Sequence, residues 1–172
     1  MKKTISEKCK RVIRNRIKLE EALDVKIIYR GKEISVEGSP ENEEMAIQMI
    51  DALDFGLPFS EVISMKKEEK IFTRFNIKDH TSKKDLSAVR ARIIGKDGKS
   101  LKSLSNISGC SMERKNNELG IVGLPEDIER LTDALVQIIH GGKHGHVYKI
   151  LEESQAPPIR DLGLKKKDNK NL

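Results

Sequence analysis

Apolar residues along the second half of the chain switch between two spacings. Leu101, Leu104 and Ile107 recur at every third position, which predicts one apolar helix face, and Gly109 follows as a helix-ending glycine. Cys110 and Met112 then alternate with polar neighbours, the period of a half-buried strand. Asn116-Asn117 is a turn pair that tolerates positive φ, and Leu119, Ile121 and Val122 form the return strand. Pro125 marks a helix start, with Glu126 and Asp127 in the first turn complementing the helix dipole. Ile128, Leu131, Leu135, Ile138 and Ile139 make the apolar face of that helix, which stops at Gly141-Gly142.

The first half carries the same order: Val25, Ile27 and Tyr29, a turn at Arg30-Gly31, Ile34 and Val36, then Pro40 and a helix bearing Met45, Met49, Ile50 and Leu53. The two copies align at one constant offset without gaps, so that Ile27 lies over Met112, Pro40 over Pro125, Leu53 over Ile138 and Gly56 over Gly141. Apolar class, turn glycine and helix-start proline all stay in register, which predicts a duplicated unit, its first copy truncated or altered at the leading strand. Between the copies, Phe59–Met65 predicts a connector helix, Ile71, Phe72, Phe75 and Ile77 a strand, and Asp79–Lys84 a polar loop. After Gly142, His146–Leu151 predicts one more short helix, ended by Ala156-Pro157-Pro158. The Lys-rich end, Lys165–Leu172, is expected to be disordered.

Composition narrows the classes. The 172 residues are 37% apolar and 35% charged, which supports a thin core and a highly charged surface. No apolar run approaches the roughly 18 residues of a membrane span, and the N-terminus leads into charge rather than into an apolar signal segment. Two cysteines, Cys9 and Cys110, form neither a disulfide framework nor a C-x-x-C pair, which points to a reducing compartment and predicts a cytoplasmic location. The net charge of +6 is segregated. Residues 1–18 hold eight Lys/Arg against one acid, residues 84–115 hold eight against three, and residues 41–61 hold six acids and no base. Such a layout predicts a basic face for an anionic partner and an acidic face turned to solvent.

The most informative stretch is Ala91-Arg92-Ile93-Ile94-Gly95-Lys96-Asp97-Gly98-Lys99-Ser100. Two glycines three positions apart precede a helix. A backbone without Cβ can approach a phosphate, the amides of the helix start point at the anion, and Lys96 and Lys99 add charge. Spacing alone is weak support. It matches neither a P-loop, which needs G-x-x-x-x-G-K-[S/T], nor a dinucleotide fingerprint, which needs a third glycine after a strand.

Context makes the loop specific. Helix, G-x-x-G, helix, strand, turn, strand and Pro-led helix resemble the type I KH domain, and the I-I-G-K-x-G-K string has that family's wording. Together with Ile121–Glu126 and His144–Glu152, these residues are similar to the small-subunit pre-rRNA-processing KH proteins known as Dim-two or Partner of Nob-one. The resemblance implies an α+β fold of two tandem type I KH-like domains (βααββα), the first degenerate and without the G-x-x-G loop. The expected division is 1–66, 67–160 and a Lys-rich tail at 161–172. At the offset of the duplication, Lys10 and Ile13 stand where Gly95 and Gly98 do, so the first copy is expected to brace the second rather than grip RNA.

KH domains hold about four single-stranded nucleotides, with the loop on the backbone and the bases on an aliphatic platform. Aromatics at 3% fit that mode better than a stacking platform. The resemblance implies contacts from Arg90, Arg92, Ile93, Ile94, Gly95, Lys96, Asp97, Gly98, Lys99, Met112 and Arg114, with Ile121 a further platform candidate. It also implies small-subunit rRNA, near its 3′ end, as the RNA, and a pre-rRNA-trimming PIN-domain endonuclease as the partner. His140, His144 and His146 lack carboxylates or thiolates at ligand spacing, so no metal or cofactor is expected. Asp51/Asp54 and Glu43/Glu44 read as a solvated helix face, and no nucleophile–base arrangement is present, so the protein is expected not to be an enzyme. An RNA-decay adaptor and a protein-interaction scaffold remain open alternatives, the latter disfavoured by an intact loop flanked by cations.

Overall fold

The computed structural model describes residues 1–6 and 9–155. The predicted stop at Ala156-Pro157-Pro158 and the Lys-rich tail lie outside the described residues. Two three-stranded antiparallel sheets, each backed by helices, make the structure. The first unit runs β1 (Lys2–Ile5), α1 (Cys9–Leu23), β2 (Lys26–Arg30), β3 (Glu33–Glu37) and α2 (Pro40–Phe55), followed by α3 (Phe59–Glu68). The second runs β4 (Ile71–Asn76), a 3-10 turn at Ile77–His80, α4 (Leu86–Ile94), α5 (Lys99–Ser108), β5 (Ser111–Lys115), β6 (Glu118–Gly123), α6 (Pro125–Ile139) and α7 (His144–Ser154).

The duplication is visible in the pairing register. Ile27 faces Val36 and Tyr29 faces Ile34 in the first sheet, while Met112 faces Ile121 and Arg114 faces Leu119 in the second. Each pair coincides with its counterpart at the offset read from the sequence. The leading strands break this spacing. Lys2 faces Val36, and Thr73 faces Ile121, the counterpart of Val36. Lys2 and Thr73 are closer in sequence than the offset of the copies, so the first unit is shorter between its leading strand and its hairpin. The missing stretch has the length of α4 with the glycine loop. The expectation of an altered leading strand is therefore corrected: β1 is present and pairs with β3, and the first helix is what the first unit lacks. The next element after β1 is α1, one helix without a glycine in it.

β1 carries no apolar alternation, and the acids of α2 hold it in place. The amino group of Met1 pairs with Glu43 at 2.9 Å, Lys2 pairs with Glu44, Thr4 Oγ1 donates to Asp51 at 3.1 Å, and Ser6 Oγ donates to Asp54 at 2.5 Å. Glu43 and Asp54 are buried, so the solvated reading of this acidic face is corrected at those positions. Burial also pushes the Asp51 carboxyl above the usual carboxylate range, against the hydrogen bond from Thr4.

Strand β6 joins the two units. Leu119 and Ile121 point into the second core with Val89, Ile93, Leu104, Leu131, Leu135 and Ile138. Val122 belongs to the first core, with Leu53, Val62 and Met65. A Cβ on Gly120 would lie 2.5 Å from Cδ1 of Phe55, at the end of α2. Alternation along one strand thus serves two cores, which is why β6 is apolar on both faces. The expected boundary at residues 66/67 falls inside the last turn of α3; the chain leaves that helix at Glu69, whose φ is 54°.

Candidate nucleic-acid interface

Helix α4 ends where Gly95 takes φ 73° and ψ 177°, its N–H still bonded to the Ala91 carbonyl at 2.8 Å. A Cβ there would stand 2.6 Å from Ser100 Cβ and 2.9 Å from the Ser100 nitrogen, so only glycine lets the chain fold back this tightly. Gly98 differs. Its φ of 74° favours glycine, yet an added Cβ would meet nothing within 4 Å. That side of the loop faces open space. Asp97 takes φ 55°, a left-handed conformation that Asp adopts more readily than most residues. Backbone geometry thereby explains an acid in a loop otherwise suited to anions. Helix α5 starts at Lys99 beside the open face of Gly98; the Lys99 N–H turns back to the Lys96 carbonyl, and no side chain caps the helix start. Lys96 and Lys99 are exposed on either side.

Helix α7 braces this loop at both ends. Tyr148 Oη donates to Ser100 Oγ at 2.9 Å, just after the loop, and His144 Nε2 lies 2.7 Å from the Arg92 carbonyl oxygen, just before it. A carbonyl only accepts, so His144 carries its proton on Nε2. The edge of one ring meets the face of the other, with centroids 6.0 Å apart. Between α7 and the loop lies a hollow of about 380 Å³, lined by Gly95, Lys96, Lys99, Ser103 and both rings. Sequence reasoning named neither Tyr148 nor Ser100 as site residues; the pointers were the loop stretch, which ends at Ser100, and the His144–Glu152 stretch quoted for the resemblance. Tyr148→Phe is expected to cost about 1 kcal/mol of stability, the value of one hydrogen bond, measured by urea titration. It is also expected to weaken RNA binding by more than that stability loss explains at temperatures where the variant stays folded.

The other predicted residues separate by environment. Arg92 reaches the end of α6, donating from Nη2 to the Gly142 carbonyl at 2.8 Å and from Nε to that of Ile138 at 3.3 Å. Ile93 and Ile121 are fully buried in the second core. These placements give all three a part in positioning the loop and the sheet. Ile94 is half-buried. Met112 and Arg114 share the helix-covered face of β5 with the Ile121–Leu119 row of β6. Because β5 is an edge strand, Met112 is only half-buried and Arg114 is exposed at the rim. Arg90 donates to Asn117 Oδ1 at 2.6 Å, joining α4 to the β5–β6 turn.

The first unit lacks this construction. Lys10 and Ile13 lie within continuous helix α1, and Arg11 donates to the Gly56 carbonyl at the end of α2 at 2.6 Å. Burial pushes the Cys110 thiol above its usual range, which disfavours a thiolate nucleophile. Among the described residues, no three His, Cys, Asp or Glu come together as a metal site. His140 Nε2 lies instead against the His80 carbonyl at 2.9 Å. No helix among the described residues is long and apolar enough to cross a membrane.

Residues 71–156 match the family model of the second PNO1 KH domain, described as a eukaryotic-type KH domain, KH-domain type I. The chain belongs to the KH-domain family. Among curated relatives, a KH domain-containing protein of Methanocaldococcus jannaschii is 28% identical over 119 residues, 66% of this chain and 52% of the relative. The pre-rRNA-processing protein PNO1 of Chaetomium thermophilum is 26% identical over 147 residues, 83% of this chain and 54% of the relative. This KH protein thus spans about half the length of the curated relatives it matches. Dim2p from Pyrococcus horikoshii superposes with a TM-score of 0.79 at 22% identity, over 88% of this chain and 98% of that one. The same archaeal protein solved in an a/eIF2alpha–aDim2p–rRNA complex gives 0.77 at 22% identity, over 88% and 92%. These likenesses establish the two-unit KH fold; in the second unit the loop, α4 and α5 complete the KH order, and the first is a KH unit reduced by one helix.

Proposed function

We propose that this protein binds single-stranded RNA through its second KH domain and serves, without catalysis of its own, in maturation of the small-subunit rRNA. The observation that carries this reading is the loop. Gly95 closes it, Gly98 faces outward, and the start of α5, which no side chain caps, meets that open face between two lysines. This arrangement suits a phosphate approaching from outside. Arg114 and Met112 on the edge strand, with Ile94 before the loop, form the other contacts. The matched pre-rRNA-processing relative and the rRNA-containing complex of the archaeal neighbour support rRNA as the target, and the resemblance read from the sequence narrows it to the 3′ region of the small-subunit rRNA. On this reading the protein presents that region to a PIN-domain endonuclease in the cytoplasm. The proposed division gives the first unit through α3 a bracing role and the second, from β4 through α7, the RNA.

Fluorescence titration of the full chain separates this from other readings. A single-stranded RNA copied from the 3′ end of the small-subunit rRNA is expected to bind more tightly than a scrambled RNA of equal composition. Both should exceed the same sequence held in a duplex. Equal affinity for duplex and single strand would remove the KH mode, and failure to bind any RNA would bring the scaffold alternative forward.

A further inference from the structure

One hydrogen bond ties together two elements that flank the RNA site of the second unit. On one side runs α4, which leads into the glycine loop; on the other runs β5, which carries Met112 and Arg114. Arg90, in the middle of α4, donates from Nη1 to Asn117 Oδ1 at 2.6 Å. A guanidinium only donates, so the amide oxygen of Asn117 faces it, and a charge-assisted bond of this kind is short and directional. The Asn117 backbone carbonyl accepts the Ile77 N–H at 2.9 Å, from the turn that follows β4. Asn117 is thus a three-way joint between α4, the end of β4 and the β5–β6 turn, in which Asn116 takes φ 54°.

Strand β5 needs such a joint. It lies at the edge of its sheet, and none of its five residues is fully buried; Met112 packs against the second core only in part. Its neighbour β6 is fixed by Leu119 and Ile121 in that core. The position of β5 therefore depends on its ladder to β6 and on the turn at its end. Arg90 stands five residues before Gly95, about 7.5 Å along the helix at 1.5 Å per residue. A guanidinium committed to the turn thus links the helix that carries the loop to the strand that carries Met112 and Arg114.

We propose that Arg90 is a positioning residue for RNA that acts through Asn117: the pair sets the spacing of α4 and β5, and with it which bases the site accepts. The proposal rests on the RNA reading given above and deepens it. On this inference the Arg90 charge is held by the protein rather than by a phosphate, and Asn117, a turn residue in the sequence, becomes part of the site's framework. Phosphate contacts carry no sequence information, whereas the fit of bases against a strand does, so the two roles for Arg90 predict different losses.

The test titrates the full chain with a panel of single-stranded RNAs of about four nucleotides that differ only in base sequence, each in a salt series. Arg90→Met removes the donor at similar side-chain length. Asn117→Ala removes the acceptor and leaves the backbone bond to Ile77 in place. Each variant is expected to narrow the spread between the tightest and the weakest RNA by roughly threefold to tenfold, the scale of one hydrogen bond, with the log-log salt slope unchanged. The double variant is expected to lose no more than either single one, because both remove the same bond. Asn117→Asp keeps an oxygen for Arg90 and is expected to keep the parent's spread. If Arg90→Met flattens the slope by about 0.7 while Asn117→Ala changes nothing, Arg90 touches a phosphate and the inference is lost, with the KH reading intact. Additive losses in the double variant, or a parent with no spread to narrow, would also overturn it. If Lys96→Asp leaves every RNA bound as before, it is the KH reading that fails.

Discussion

Lys96→Asp is expected to weaken single-stranded RNA binding by roughly tenfold to a hundredfold while leaving the melting curve in place. Lys96 stands between the two glycines, exposed, and makes no contact with either core. Surface substitutions of this kind usually stay within about 0.5 kcal/mol in stability. Binding loses a cation and gains an anion at the phosphate path. Each effect is about 1 kcal/mol or more, and about 1.4 kcal/mol is tenfold in affinity. Asp97 does not already impose this penalty: its left-handed backbone is a turn requirement, and its presence leaves both flanking lysines exposed. Thermal melting and RNA titration on one preparation decide the matter. Unchanged binding with unchanged melting would mean that the loop is not the RNA grip.

Gly120→Val is expected to destabilise the protein markedly without changing its charge. The first atom of the new side chain would stand 2.5 Å from one ring carbon of Phe55 and 2.8 Å from another. Phe55 cannot swing aside freely, because it is buried, tilted against Phe72 at 6.0 Å and covered by Arg74. Overpacking costs about 1–3 kcal/mol, and the upper end applies where both partners are fixed. For a chain of this size that corresponds to a fall in Tm of roughly 5–10 °C. The control is Gly145→Ala, near the start of α7, where an added Cβ meets nothing within 4 Å and no positive φ is required. Its expected effect is of opposite sign, a gain of up to about 1 kcal/mol. If Gly120→Val melts like the parent, Phe55 does not occupy the notch in β6 and the two units are not locked there.

Much of the second unit was legible because its signals are local. Cys110 and Met112, the Asn116-Asn117 turn, the Leu119–Val122 strand and Pro125 each report backbone conformation over a short stretch of chain, and the same register recurs in the first unit. The glycine loop was legible for the same reason, since φ at Gly95 and Gly98 depends on nearest neighbours. Strand β1 was not. Lys2-Lys3-Thr4-Ile5 shows no apolar period, because an edge strand anchored by ion pairs to α2 needs none. A second role of Arg92 was not legible either: an arginine beside a phosphate loop reads as a ligand-facing cation, and only the fold brings the Gly142 carbonyl, 50 residues on, to its guanidinium.

By itself, then, the order of residues determined what depends on short range: the period of each element, the duplicated strand–turn–strand–helix, and a loop whose two glycines can turn toward an anion. Which faces remained open was decided only by tertiary structure. Gly95 and Gly98 look alike in sequence, yet one is pressed against Ser100 and the other faces open space. Gly120 and Val122 look like ordinary strand residues, yet they carry the contact between the units because the far face of β6 is covered by α2 and α3. Tyr148 acquires a role at the loop only when α7 folds back 48 residues to reach Ser100. Burial and long-range hydrogen bonds are properties of which surfaces meet, and the short periods of strand and helix carry no record of that meeting.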